Sequence, residues 1–105
     1  MNGCEAWHIL SALNANEPSS GSFVPQFEER IRDLTGAKYA VATASGSAAL
    51  HLALGCAGIR PGDKVIVPAT TFVATANAVR MAGAEPVILD VEPETWGLDP
   101  NMVED

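Results

Sequence analysis

The predicted fold is decided by the segment Tyr39-Ala40-Val41-Ala42-Thr43-Ala44-Ser45-Gly46-Ser47-Ala48-Ala49-Leu50-His51-Leu52-Ala53-Leu54. Its first five residues mix aromatic, β-branched and small side chains, which is typical of a buried parallel strand. From Ala48 onward the segment consists mainly of Ala and Leu, the apolar residues with the highest helix propensity. The segment therefore predicts a strand at 39–43, a tight turn, and a helix over 46–55.

The turn Ser45-Gly46-Ser47 is a candidate anion-binding site. Gly46 can allow a sharp turn and the close approach of a ligand, and Ser47 can cap the helix or direct its hydroxyl to an anion. The first amides of a helix have no intrahelical partner and lie at the positive end of its dipole. A phosphate group would fit such a site. The alternative is that Gly and Ser here serve only to turn the chain and cap the helix.

Strands and helices alternate in the rest of the chain. Two further strands are predicted near residues 64–67 and 86–91, with a helix from about 72 to 81 between them, and two helices over about 6–13 and 24–34 precede the segment. Strands that alternate with helices imply a parallel sheet covered on both faces. The predicted fold class is therefore α/β, with a helical lead-in over 1–35 and a β-α-β-α-β portion over 36–105.

Two loops of this fold are expected to meet where ligands of open α/β sheets bind, beyond the carboxyl ends of the strands. They are the turn around Gly46 and the loop from Pro68 to Phe72. The ring of Phe72 could stack on a flat heterocycle beside a bound phosphate. The alternative for Phe72 is burial for packing, the usual role of a large aromatic side chain.

Composition limits the classes of function. The 105 residues carry a net charge of −7 and are 48% hydrophobic and 18% charged. This acidic balance argues against a nucleic-acid or anionic-membrane partner, and the short apolar runs predict no transmembrane helix. The N-terminus does not have the pattern of a signal peptide. The two cysteines, Cys4 and Cys56, are too few for a disulfide framework and lack metal-ligand spacing, which is typical of a cytoplasmic protein.

Five segments, in order, resemble the DegT/DnrJ/StrS-type sugar aminotransferases, which are pyridoxal-phosphate (PLP) enzymes of the aspartate aminotransferase fold, fold type I. The matching segments are Ala37 to His51, Pro61-Gly62-Asp63-Lys64-Val65-Ile66-Val67-Pro68, Thr71 to Val79, Gly83-Ala84-Glu85-Pro86-Val87 and Thr95-Trp96-Gly97-Leu98-Asp99-Pro100. The resemblance implies that the chain is the N-terminal part of the PLP-binding large domain.

The resemblance also implies a set of cofactor-binding residues. In the family, a Gly-Ser/Thr pair holds the PLP phosphate, which corresponds here to Gly46 and Ser47 with the adjacent amide of Ala48. The family commonly has Thr at the position of Ser47, and the hydroxyl is retained. The aromatic residue that stacks on the pyridine ring corresponds to Phe72. No metal site is predicted.

The function implied by the resemblance is amino transfer to a nucleotide-linked keto sugar, with glutamate as amino donor, in a homodimer. PLP chemistry needs a lysine that bonds the cofactor. Lys38 and Lys64 are the only lysines, and both are predicted to begin strands at the opposite end of the sheet. No catalytic residue is therefore predicted, and we expect the 105 residues alone to be inactive. A Rossmann-like nucleotide-binding module and an inactive structural fragment are the alternatives, and some relatives of the family are PLP-dependent dehydratases.

Overall fold

A computed structural model describes residues 4–15 and 21–103 of the chain. It divides into two compact units, of which one ends at Ala42 and the other begins at Thr43. The predicted boundary between residues 35 and 36 stays a prediction. No helix of the described residues is long and apolar enough to cross a membrane.

The first unit contains helices α1, Glu5–Asn14, and α2, Phe23–Thr35. Both predicted helices are confirmed within one or two residues at each end. Gly36 ends α2 in the left-handed conformation, with φ 70°, and its N–H donates to the carbonyl of Arg32 at 2.8 Å. A glycine adopts this conformation without the steric cost of a Cβ, which is why it stops a helix. The predicted connector between the helices falls largely on residues 16–20, outside the described residues.

The second unit contains two strands, two α-helices and a short 3₁₀ helix. In chain order they are α3, Gly46–Cys56; β1, Lys64–Pro68; α4, Ala74–Met81; β2, Glu85–Leu89; and the 3₁₀ helix, Pro100–Met102. The strands β1 and β2 pair in parallel, from Lys64 opposite Glu85 to Pro68 opposite Leu89. The second and third predicted strands are therefore confirmed, as is the helix that connects them, although α4 begins two residues after Phe72.

The first predicted strand, residues 39–43, is not formed. Within the described residues, the sheet has two strands, β1 and β2, and no strand is assigned between Lys38 and Thr43. The apolar and β-branched composition expresses only a tendency to form a strand. A strand also needs a neighbour whose backbone completes the hydrogen-bond ladder, and no described residue supplies one to this segment.

The core of the second unit lies where α4 packs on the sheet. Val67 of β1, Val79 of α4 and Ala84 are buried together, and Leu54 of α3 packs against them. The helix α4 contacts both strands and also packs against α3. This arrangement places the N-terminus of α3 and the loop that follows β1 in one compact unit, and these are the two elements that carry the predicted site.

Candidate functional site

Ser45 caps the N-terminus of α3. Its backbone is extended, with φ −160° and ψ 161°, and its Oγ accepts a hydrogen bond from the N–H of Ala48 at 3.2 Å. The carbonyl of Ser45 accepts the N–H of Ala49 at 3.0 Å and the hydroxyl of Thr43 at 3.1 Å. Side-chain capping of the amide three residues on is the usual role of an N-cap serine. Ser45 therefore starts the helix, a role that the sequence had left to Ser47.

The capping by Ser45 leaves other donors at the helix start without partners. Within the described residues, the N–H groups of Gly46 and Ser47 and the hydroxyl of Ser47 make no hydrogen bond. These three donors lie at the positive end of the α3 dipole. The sequence allowed Ser47 either to cap the helix or to bind an anion. Because Ser45 caps the helix, the Ser47 hydroxyl remains available for an anion.

The N–H of Ala48 differs from those of Gly46 and Ser47 in its hydrogen bonding. Its N–H already has a partner in Ser45 Oγ. A hydrogen bond from Ala48 to a bound phosphate, which the sequence predicts, would require this amide to be shared or released. The assignment of Ala48 stays a prediction, and the available donors are concentrated at Gly46 and Ser47.

Gly46 is not needed for the turn itself. It lies in the first turn of α3 and is not among the glycines that have positive φ. Apart from its chain neighbours and the backbone of its own helix, a Cβ built on it would meet no atom of the described residues within 4 Å. The expectation that Gly46 allows a sharp turn is therefore wrong, because any residue could adopt this backbone. The open space beside its Cα is where a ligand could approach the backbone closely.

Phe72 lies between the end of β1 and the beginning of α4. Its side chain is 78% exposed, so within the described residues it does not serve the packing role that is usual for a large aromatic. The loop around it is ordered by local bonds: its carbonyl accepts the N–H of Thr75 at 3.0 Å, and the hydroxyls of Thr71 and Thr75 lie 3.1 Å apart. The ring is thus available for contact with a ligand.

An open concavity of about 650 Å³ extends from the helix start along one side of α3. Its lining consists of Ser45, Ser47, Ala48, His51, Leu52, Gly55, Cys56 and Met81. His51 is exposed here. The concavity is mainly apolar, and the donors of the Ser45–Ser47 turn lie at one end of it.

The loop that follows β2 is organised by a residue whose role the sequence did not predict. The carboxylate of Glu92 accepts the hydroxyl of Thr95 and the N–H groups of Glu94 and Thr95, at 2.8 and 2.7 Å for the two amides. These bonds, with the Thr95 hydroxyl first, hold the pKa of Glu92 below its ordinary value of 4.5. Trp96 follows with φ 61°, a left-handed conformation that is strained for a bulky residue. The spacing of an acid and a threonine three residues later was the available signal.

Of the two lysines, Lys64 lies where the sequence placed it, whereas Lys38 begins no strand, because residues 39–43 form none. Lys64 is the first residue of β1, so it stands at the amino end of the sheet, opposite the loop that carries Phe72. The Nζ of Lys38 lies 5.2 Å from the centroid of the Tyr39 ring. Among residues 4–15 and 21–103, no three His, Cys, Asp or Glu side chains form a group that could hold a metal ion.

Comparison with known proteins identifies the family. A sequence profile described as the DegT/DnrJ/EryC1/StrS aminotransferase family matches residues 4–105. The chain belongs to this family. It is 43% identical to the GDP-perosamine synthase of Caulobacter vibrioides, over 99% of this chain and 28% of that protein. It is 44% identical to the UDP-2-acetamido-2-deoxy-3-oxo-D-glucuronate aminotransferase of Pseudomonas aeruginosa, over 91% of this chain and 27% of that protein.

Among solved structures, the chain is similar to NtdA from Bacillus subtilis, which was crystallised with bound cofactor PMP. The TM-score is 0.85 at 36% identity, over 99% of this chain and 25% of that one. The α/β fold class predicted from the sequence, part of a PLP-dependent aminotransferase of fold type I, is confirmed by this similarity. The chain spans about a quarter of the length of the relatives that it matches.

Proposed function

We propose that the full-length protein is a PLP-dependent aminotransferase that acts on a nucleotide-linked keto sugar. Membership of the family over residues 4–105 supports this proposal, and so do two relatives at 43% and 44% identity whose names specify GDP- and UDP-linked sugars. The single structural observation that carries it is the set of donors on Gly46 and Ser47, at the start of α3, that make no hydrogen bond within the described residues. A Rossmann-like nucleotide-binding module, the alternative, has no support from the family match.

In this proposal, the start of α3 binds the phosphate group of PLP. The N–H groups of Gly46 and Ser47 donate to phosphate oxygens, and the Ser47 hydroxyl adds a third donor. Because the site is at the positive end of the helix, it favours a dianionic phosphate over a neutral group. The open space at Gly46 allows the oxygens to reach the backbone. These residues therefore fit the phosphate group of the cofactor, and they would anchor the cofactor through that group.

Phe72 is proposed to cover one face of the cofactor ring. Its exposed side chain, on a loop ordered by the Thr71 and Thr75 hydroxyls, supports this role. Bound PLP stabilises the negative charge that develops on the carbon bearing the amino group. Phe72 would fix the plane of the ring and exclude water from one face of it. Offset stacking of aromatic rings contributes about 0.5–1.5 kcal/mol beyond simple burial.

The remaining parts of the proposal concern the whole protein. The lysine that bonds the cofactor is proposed to come from sequence other than these 105 residues, as the family resemblance implies, and the position of Lys64 at the amino end of β1 agrees with this. Glutamate is proposed as the amino donor, and a homodimer in the cytoplasm as the working form. The amino donor and the homodimer follow from the family resemblance, and the location follows from the cysteine usage. The 105 residues alone are proposed to be inactive.

The experiment that tests the function is a stoichiometric transfer assay. Purified full-length protein is mixed with PLP, glutamate and, in turn, GDP- and UDP-linked keto sugars, and the products are followed by mass spectrometry. We expect one amino sugar and one 2-oxoglutarate for each glutamate consumed. A keto sugar that loses water without gaining nitrogen would identify a dehydratase instead. Failure to bind PLP, measured by absorbance, would refute both activities.

A further inference from the structure

The orientation of Phe72 depends on the backbone of its loop, because its side chain is 78% exposed within the described residues and packing does not fix it. The loop over residues 69–73 is tied at its beginning, where the N–H of Ala69 donates to the carbonyl of Leu89 at 2.7 Å. At its other end the carbonyl of Phe72 accepts the N–H of Thr75 at 3.0 Å. The direction in which the ring is presented is therefore set at this second end.

The second end of the loop also carries a pair of threonine hydroxyls. The Oγ1 atoms of Thr71 and Thr75 lie 3.1 Å apart, so one hydroxyl donates to the other, and the two residues stand on either side of Phe72 in the sequence. Within the described residues, no other side chain of the loop over 69–73 makes a hydrogen bond. Helix α4 has no side-chain cap at Val73. The hydroxyl pair is thus the one side-chain bond that holds the described loop against the first turn of α4.

We propose that Thr71 and Thr75 are positioning residues for the cofactor, whose hydroxyl pair holds the backbone of Phe72 in the conformation that lets its ring stack on the cofactor ring. This role rests on the proposed function, in which Phe72 covers one face of PLP. Aromatic rings attract each other only over a limited range of offsets and angles. If the loop adopted the stacking conformation for only part of the time, the apparent affinity for PLP would fall by that fraction.

The test is PLP titration of the full-length protein, followed by absorbance, in variants of the pair. Thr75→Val removes the hydroxyl but keeps the β-branched shape and the N–H that bonds Phe72. It should lower PLP affinity by up to about 12-fold, the limit set by loss of the ring stacking itself. Thr71→Val breaks the same bond and should have the same effect, so it decides the question if Thr75→Val does not fold. Thr75→Ser retains a hydroxyl and should restore the parent affinity.

The matched control is Thr70→Val, which makes the same change in the same loop. Thr70 is exposed, and its hydroxyl makes no hydrogen bond within the described residues, so this variant should bind PLP like the parent. A loss of affinity in Thr70→Val equal to that in Thr75→Val would overturn the proposal, because removal of any hydroxyl from the loop would then have the same effect.

A double-variant cycle shows whether Thr75 acts through Phe72. In a Phe72→Ala background, Thr75→Val should not lower PLP affinity any further. The same loss with and without the ring would overturn the positioning role. Parent affinity in both valine variants of the pair, while Phe72→Ala binds PLP more weakly, would also overturn it and would leave the proposed function intact. Parent affinity in Phe72→Ala would refute the role of Phe72 in the proposed function, and the positioning role with it.

Discussion

Replacing Gly46 by alanine should change stability and cofactor affinity in opposite directions. Gly46 lies in the first turn of α3 without positive φ, and an added Cβ would have open space on the side away from its own helix backbone, as far as the described residues show. A Gly→Ala change at a compatible helical position stabilises a protein by about 0.4–1 kcal/mol, mainly because it restricts the unfolded chain. Gly46→Ala should therefore raise the free energy of unfolding by about this amount in the absence of PLP.

The same methyl group should weaken PLP binding, because it occupies the space through which the phosphate approaches the backbone. A hydrogen bond to a charged group contributes about 1.5–3 kcal/mol. The loss of one such bond corresponds to an affinity about 10- to 150-fold lower, since 1.4 kcal/mol is a factor of ten. A residue whose role was only to shape the turn would not show this combination of a more stable apoprotein and a weaker cofactor complex.

The assay combines chemical unfolding of the full-length apoprotein with PLP titration followed by absorbance. Gly55→Ala is the matched control, because Gly55 lies in the same helix, also has no atom within 4 Å of a built Cβ, and is about 13 Å along the axis from Gly46. The control should be stabilised similarly and should bind PLP like the parent. If Gly46→Ala binds PLP as tightly as the parent, the phosphate does not lie at the start of α3.

Three further changes test other parts of the structure. Phe72→Ala should lower PLP affinity about 2- to 12-fold, from a stacking loss of about 0.5–1.5 kcal/mol. It should have little effect on the free energy of unfolding, because the ring is exposed. Unchanged PLP affinity with a lower free energy of unfolding would assign Phe72 to packing. Gly83→Ala should lower the free energy of unfolding, measured by urea denaturation, by more than about 1 kcal/mol. The reason is that Gly83 has φ 78° and an added Cβ would lie 3.0 Å from the side chain of Pro61. An unchanged free energy of unfolding would contradict this geometry. The pKa of Glu92 is lowered below 4.5 in the fold, so its contribution to stability is present above the unfolded pKa and is lost as pH falls through the folded value. The fluorescence of Trp96, taken as the difference between the protein and its Trp96→Phe variant, should report loosening of the loop below about pH 4.5, a transition that Glu92→Gln should remove.

Local features of the fold could be predicted from the sequence. The end of α2 at Gly36 and the strands β1 and β2 follow from short-range signals, namely a helix-stopping glycine and compact apolar runs closed by turn residues. The strand at 39–43 could not be predicted in the same way, because a ladder depends on a neighbour that is distant in sequence. Strand propensity was present at Tyr39 and Val41, but the described residues contain no partner for it.

The elements that carry the candidate residues could be predicted from the sequence, but the hydrogen bonds at the start of α3 could not. Gly46, Ser47 and Phe72 all lie on the elements expected of them, at the start of α3 and in the loop after β1. The choice of cap between Ser45 and Ser47 was missed, because two serines flank the glycine and capping depends on which of them is extended. This choice decides which amides remain available, so it matters more for the chemistry than the helix boundary does.

The central claim is that the start of α3 binds the phosphate of PLP, and the most direct test compares PLP with pyridoxal, which has the same ring and no phosphate. Two charge-assisted bonds of about 1.5 kcal/mol each predict that the full-length protein binds PLP at least about 100-fold more tightly than pyridoxal. In Ser47→Ala this preference should fall about tenfold or more, while the affinity for pyridoxal stays the same. An unchanged preference in the variant would contradict the claim.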